Sequence, residues 1–410
     1  MRLAFIDIVF SWPPLGGAPL DLYYTMSGLQ ALGHDVHLFY ASDPENWRLE
    51  PVARDALPFP STELACPHGA STPETTAQRF REGVDAWGPD VVFQCFGFFT
   101  KPYVTMALAH YPQIARYYAY EPFCPRDYRM FLNHDICPMN YLRSPNVCRR
   151  CAASLFWREM RTGRSIGYVS EYEQARAYSS AYYHLLVESL REYRAVIVYN
   201  QLTKGLLEGI TDRVHVIGGG VEIQSFEHVP LEDKPAGEKK VIFMSGRAED
   251  FSKGTRVLQR AGEILAAERD DFEIWLTHPE RELENEWFKP IGWHPFERIV
   301  SFYKQSDICV VPSLWQEPFG MVAVEAMAIG RPVVVSNVGG LQEIVVQGET
   351  GYVYDRRDAE ALAGHLRDLL DDPSLRRRMG DAGRARAAQY YDWKQVIERH
   401  YPPLLEEVTR

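Results

Sequence analysis

SDICVVPSLWQEPFGMVAVEAMAIGRPVVVSNVGG, residues 306–340, decides the fold. Residues 308–311 are apolar at every position and end at Pro312, a loop carries Glu317, Gly320 opens a helix over about 321–329, and Pro332 leads into a second apolar run at 333–336. Strands apolar at consecutive positions are buried on both faces, which belongs to a parallel sheet covered by helices. In such sheets ligands bind in the loops beyond the carboxyl ends of the strands. Glu317 lies in one of those loops and Glu325 about one turn into the helix, so both carboxylates can face one elongated ligand. The amides of Phe319, Gly320 and Met321 at the helix start are donors for hydroxyl or phosphate oxygens. A carboxylate that accepts two hydroxyl hydrogens suits the vicinal diol of a ribose or hexose.

The same alternation extends in both directions. Downstream come GYVYD (351–355) and a helical period over 358–370; upstream come VIFMSGR (241–247), a helix over 254–268, FEIWLT (272–277) and a helix near 296–305. The first half opens with RLAFIDIVF (2–10), the breaker cluster SWPPLGG (11–17), a helix from Pro19 to Gly33 and DVHLFY (35–40). Helices around 75–87 and 103–110 then alternate with DVVFQCFGF (90–98) and QIARYYAY (113–120), and AVIVYN (195–200) and RVHVIGGGVE (213–222) close the series. The polar stretch at 224–240 reads as a linker. Residues 123–157 show no period and read as an inserted loop. The fold class is α/β, two doubly wound domains in tandem.

The 410 residues suit two or three domains, and 46% apolar content can give each a core. No apolar run approaches the ~20 residues that cross a bilayer, and no secretory segment is visible, so the expected location is cytoplasmic. The net charge of -11 argues against a nucleic-acid binder. Residues 101–204 nonetheless hold 14 Lys/Arg against 8 Asp/Glu, a local +6. An anionic or membrane-associated partner fits that region, as does a solvated basic face, and a peripheral place at the inner membrane face follows from the first. Arg126, Arg129, Arg143, Arg149 and Arg150 are its expected contacts.

Seven cysteines in such a chain do not suggest a disulfide framework. Cys66, Cys95 and Cys309 read as small buried hydrophobes. Cys124, Cys137, Cys148 and Cys151 fall within the insert, spaced C-x12-C-x10-C-x2-C. A structural zinc with four thiolates, four reduced thiols and an iron–sulfur cluster are the three readings.

EPFGMVAVEA (317–326) resembles the E-x7-E motif of the family 4 glycosyltransferases, retaining enzymes of the GT-B fold. SGRAEDFSKG (245–254) is similar to that family's G-R…K-G segment, PLGGAP (14–19) to its N-terminal Gly-Gly loop, and VIGGGVE (216–222) to its linker region. YYDW (390–393) looks like the start of its last helix, and some members carry a four-cysteine insert at this point. The resemblance implies two Rossmann-like domains facing across a cleft: 1–222 for the acceptor, with the insert at 123–157; 223–388 for the nucleotide sugar; and 389–410 as a helix crossing back. It implies a hexosyltransferase-type enzyme that moves a sugar from a nucleotide-diphosphate donor to a hydroxyl acceptor, whether glycan, lipid-linked or small molecule, without a catalytic metal. Arg247 and Lys253 would hold the diphosphate, Glu317 the sugar and Glu325 the ribose, with Gly16 and Gly17 completing the donor site. Where the family has a His-Asp pair beside the reacting centre this chain has Tyr120-Glu121, and a tyrosine is no proton relay near pH 7. That departure keeps a non-catalytic nucleotide-sugar-binding module as an alternative, with a GT-B nucleotide-sugar epimerase behind it.

Overall fold

The computed structural model describes residues 1–14, 16–42, 52–67, 71–161, 167–226, 230–231, 237–279 and 283–410. Leu15 of the Gly-Gly loop and residues 227–229 and 232–236 of the expected linker lie outside them. In chain order the strands are β1 (Arg2–Asp7), β2 (Asp35–Ser42), β3 (Ser61–Ala65), β4 (Val91–Gln94), β5 (Gln113–Arg116), β6 (Phe131–Leu132), β7 (Asp135–Ile136), β8 (Ala195–Val198) and β9 (Val214–Val216). Then follow β10 (Lys240–Met244), β11 (Phe272–Leu276), β12 (Phe288–Pro290), β13 (Ile308–Val311), β14 (Val333–Ser336) and β15 (Gly351–Tyr354). The α-helices are α1 (Gly17–Ala31), α2 (Pro73–Trp87), α3 (Lys101–Ala107), α4 (Pro145–Arg161), α5 (Gly167–Gln174), α6 (Ser180–Glu192) and α7 (Gln201–Leu206). They continue with α8 (Thr255–Ala266), α9 (Phe296–Gln305), α10 (Met321–Ile329), α11 (Leu341–Ile344), α12 (Ala359–Asp371), α13 (Pro373–Tyr390) and α14 (Trp393–Thr409).

The chain divides into two units. The first comprises residues 1–130, 138–218 and 397–410 and contains a sheet of order β3-β2-β1-β4-β5-β8-β9, parallel throughout. The second comprises 131–137 and 219–396, with a parallel sheet of order β12-β11-β10-β13-β14-β15. Both orders reverse once, between β1 and β4 in the first unit and between β10 and β13 in the second, and the loops after those strands flank the natural ligand crevice of each sheet. The apolar runs read from sequence form the sheets' buried centres: Ile242, Ile308, Val310 and Val334 are at most 1% exposed. Two doubly wound parallel sheets make this the expected tandem α/β architecture.

The insert differs from its expectation as an aperiodic loop. Its second half is α4, whose Cys148, Ala152 and Phe156 are buried at intervals of four residues. Arg149 and Arg150 fall between its members in the sequence, and two of its three residues are small, so no apolar period stands out. Its middle is the two-stranded β6–β7 hairpin, which belongs to the second unit although its neighbours in the chain belong to the first. Strand β3 also escaped the sequence reading: it is a partly exposed edge strand with no apolar run. Helix α13 escapes it because, beside Met379, its buried residues are Arg376, Gly380, Gly383 and Ala387, which make no apolar stripe.

Candidate functional site

The loops after β10 and β13 flank the reversal in the second unit and carry the residues singled out from sequence. In the first loop Asp250 caps a 3-10 turn at Phe251–Lys253, and Gly254 follows at φ 79. A side chain on Gly254 would place its Cβ 1.8 Å from the carbonyl oxygen of Pro312, so only glycine lets this loop lie against the end of β13. Ser252 completes the contact by accepting a 2.7 Å bond from the Leu314 amide. The close approach brings Lys253 Nζ to 2.6 Å from Glu317 Oε1.

Glu317 is held from several sides. Its Oε1 also accepts from Ser313 Oγ at 2.6 Å and from the Trp315 indole N–H at 2.8 Å. Its carbonyl accepts from the Gly340 amide at 2.8 Å, and a Cβ on Gly339 would lie 2.0 Å from that same oxygen. The carboxylate is therefore fixed in the manner of a preorganised binding group, and the Lys253 ammonium lies 5.2 Å from the Trp315 ring. Arg247 belongs to the same loop, its carbonyl accepting from Asp250 N, and its side chain is exposed. Phe319, Gly320 and Met321 lead into α10, where Gly320 stands at the cap with no side-chain cap bond and its carbonyl accepts from the Ala323 amide at 2.9 Å.

Glu325 lies one turn into α10, buried, and accepts from the Tyr303 hydroxyl at 2.9 Å. Burial pushes its carboxyl up to about 7, and the Tyr303 bond only partly opposes the shift. The structure thus joins Lys253 to Glu317 directly and places Arg247 in Lys253's loop and Glu325 on the adjoining helix. Ser313, Trp315, Tyr303 and the Gly339-Gly340 pair were missed. The alternation Ser-x-Trp-x-Glu at 313–317 was the available signal for the first two.

In the first unit Gly16 and Gly17 stand at the start of α1, and a Cβ on Gly16 would meet open space. Tyr120 is buried against Phe123. The Glu121 carboxylate turns back to accept from the amides of Tyr118 and Ala119 at 3.4 and 3.1 Å, and burial raises its pKa against the pull of Lys101. Around the β1/β4 reversal lies a buried charged group that the sequence reading passed over. Asp7 accepts from the amides of Val9 and Phe96, and burial raises it to about 7. The Lys101 ammonium donates to the carbonyls of Cys95 and Arg116 at 2.6 and 3.0 Å and is lowered by burial to about 8. Arg116 forms a fork with Asp21, 2.7 and 3.3 Å, which Tyr199 joins at 2.9 Å.

The cysteine insert does not match its zinc expectation. Among the described residues no three His, Cys, Asp or Glu side chains are gathered as metal ligands, and Cys124, Cys137, Cys148 and Cys151 form no disulfide. Cys124 Sγ instead accepts from the Asp127 amide and Cys151 Sγ from Arg126 at 3.6 Å. The expected contacts for an anion are engaged locally as well: Arg129 with Asp127, Arg149 and Arg150 with Asn146, Arg143 with the Gly205 carbonyl. Among the described residues no helix is long and apolar enough to cross a membrane.

Comparison with known proteins bears on the second unit most directly. Residues 280–386 match the family model of glycosyl transferases group 1. Glycogen synthase of Mycobacterium tuberculosis is 41% identical over 106 residues, 26% of this chain and 25% of that protein. D-inositol 3-phosphate glycosyltransferase of Corynebacterium urealyticum is 40% identical over 195 residues, 41% of this chain and 45% of that protein. These matches span from a quarter to under half the length of the relatives. Two solved structures align over nearly the whole chain. Sucrose-phosphate synthase from Thermosynechococcus elongatus has TM-score 0.65 at 20% identity, covering 99% of this chain and 98% of its own. Anabaena HepE in complex with UDP and glucose has TM-score 0.66 at 17% identity, covering 99% of each. Identities this low establish the fold alone, and that fold is GT-B. Residues 280–386 thus match the glycosyl transferases group 1 family model within a chain of GT-B fold.

Proposed function

We propose that the chain is a retaining glycosyltransferase that takes a hexose from a nucleotide-diphosphate donor bound at the loops after β10 and β13. The observation that carries the reading is the 2.6 Å contact of Lys253 with Glu317 beside the start of α10. A lysine and a carboxylate so placed serve the two halves of such a donor in turn. The incoming diphosphate competes for the ammonium, as two negative charges at ~4 Å outweigh one carboxylate. Glu317, still held by Ser313 and Trp315, then turns its acceptor capacity to the hydroxyls of the sugar. Glu325 accepts from the ribose diol.

In the reaction the bond from sugar C1 to the diphosphate oxygen breaks, the acceptor hydroxyl oxygen bonds to C1 on the same face, and its proton leaves to the departing phosphate or to water. Negative charge grows on the diphosphate as the bond breaks. Arg247, Lys253 and the α10 amides stabilise it without a metal ion. Retention rests on the likeness of 317–326 to the E-x7-E motif. The relatives' names and the UDP complex of HepE support a nucleotide-sugar donor.

Lys253→Ala and Glu317→Ala are each expected to lower turnover at least about tenfold, roughly 1.4 kcal/mol of transition-state stabilisation, with melting temperature little changed. Release of nucleotide from UDP-, GDP-, ADP- and dTDP-sugars, with and without extracted acceptors, measures it; wild-type rates in both variants would remove the donor-site assignment. One observation favours a binding module instead: Tyr120 is buried, and Glu121 is committed to backbone amides. Donor binding with no nucleotide released under any acceptor would select that alternative.

A further inference from the structure

The β6–β7 hairpin is too small to stand alone. Two residue pairs, Phe131 with Ile136 and Leu132 with Asp135, enclose a turn in which both Asn133 and His134 have positive φ, 52 and 62°. Isolated hairpins are marginal even when longer, and a histidine in the left-handed region costs about 1 kcal/mol. Such a conformation persists where its surroundings impose it.

Those surroundings are the loop after β10 and the turn after β15, which in turn reaches the loop after β13. Asp135 accepts from Arg356 at 2.7 Å and pairs with Arg357 at 3.4 Å, and the two cations hold its carboxyl below the usual range. Arg357 donates to the His134 carbonyl at 2.7 Å. Arg356 also reaches the carbonyl of Leu314 at 3.4 Å, whose amide bonds Ser252 across the loops. The His134 ring lies tilted against Phe251, two residues before Lys253, with the ring centroids 4.1 Å apart. One short hairpin therefore touches the loop of Lys253 directly, at Phe251, and is linked to the loop of Glu317 through Arg356, which bridges Asp135 and the Leu314 carbonyl.

We propose that the hairpin, with Asp135 and His134 as positioning residues, holds these two loops in register and so sets the affinity of the second unit for a diphosphate. This rests on the donor-site reading above and adds to it a contribution from the insert. The hairpin is part of the second unit, but the chain segments on either side of it, up to Met130 and from Pro138, belong to the first.

The test compares wild type with Asp135→Ala, His134→Ala and the conservative Asp135→Glu in the full chain. Asp135 is half-exposed, and a surface ion pair contributes little to global stability, so the variants should melt within a few degrees of wild type. Amide hydrogen exchange reports on the loops without any ligand. Exchange at residues 251–254 and 314–317 should accelerate at least threefold in Asp135→Ala and His134→Ala and return toward wild type in Asp135→Glu. Calorimetry with inorganic pyrophosphate should show at least a threefold loss of affinity in the same two variants, again restored by Asp135→Glu. Unchanged loop exchange overturns the proposal, and so does faster exchange with pyrophosphate affinity equal to wild type. A wild-type protein whose pyrophosphate binding is indifferent to Lys253→Ala would instead overturn the donor-site reading, while the exchange data still decide whether the hairpin holds the loops.

Discussion

Two glutamates eight residues apart in one motif live in different chemistry. Glu317 is anchored by a cation and two neutral donors, whereas Glu325 accepts from the Tyr303 hydroxyl in a buried setting that favours its protonated form. Between the ordinary carboxyl range and about 7 the folded protein therefore keeps a proton at Glu325 that the unfolded chain has lost. More protons on the folded state mean that this group's contribution to stability falls as pH rises through that window. Glu325→Gln is expected to flatten the corresponding slope of melting temperature against pH between about 4.5 and 7, checked by thermal denaturation across that range. A ribose diol donates to the ionised form, so binding of the preferred nucleoside diphosphate should tighten with rising pH from 6 to 8, and Glu325→Gln should lose that trend. Reading the difference between the two proteins cancels titration of the diphosphate itself.

At the scale of elements, what the sequence revealed is what repeats. The sequence marks α9 and α10 at 296–305 and 321–329, the bounds they have, by large apolar residues in the first and by a run in the second that is apolar but for Glu325. Helix α4 packs through Cys148, Ala152 and Phe156, residues too mixed in size to announce a stripe, and the β6–β7 hairpin has two-residue strands, below any periodicity. The site was legible in the same measure. Glu317, Lys253 and Arg247 stand out by charge beside glycine, but Ser313, Trp315 and Tyr303 are ordinary residues until the backbone aims them at a carboxylate. The Gly254 loop is the element on which the site's geometry turns. Gly254→Ala is expected to destabilise by about 2 kcal/mol or more, because its Cβ would meet backbone rather than a movable side chain. It should also lower turnover at least tenfold by separating Lys253 from Glu317; a variant that melts and turns over as wild type would show that the loop tolerates displacement.

For the whole molecule the division of the chain matters more than its length. Residues 397–410 complete the first unit, where Tyr401, Leu404, Leu405 and Val408 are at most 3% exposed and Tyr401 bonds Thr25 of α1 at 3.4 Å. The polypeptide leaves that unit at Met130 for the hairpin, returns at Pro138, leaves again after Gly218 and comes back at Ile397. Severing the chain between 218 and 219 would therefore yield no complete half: one piece lacks the helix over its core, and the other lacks the partner of Arg356 and Arg357. Synthesis on the ribosome meets the same constraint. With roughly 180 residues intervening between Gly218 and Ile397, elongation at about 5–20 residues per second leaves the first sheet waiting on the order of 10–35 s for its closing helix. Nascent chains arrested before residue 397 should remain open to protease at α1 and β4, while those released with 397–410 become resistant. During that wait the exposed apolar seat of Tyr401 is a natural client surface for a ribosome-associated chaperone.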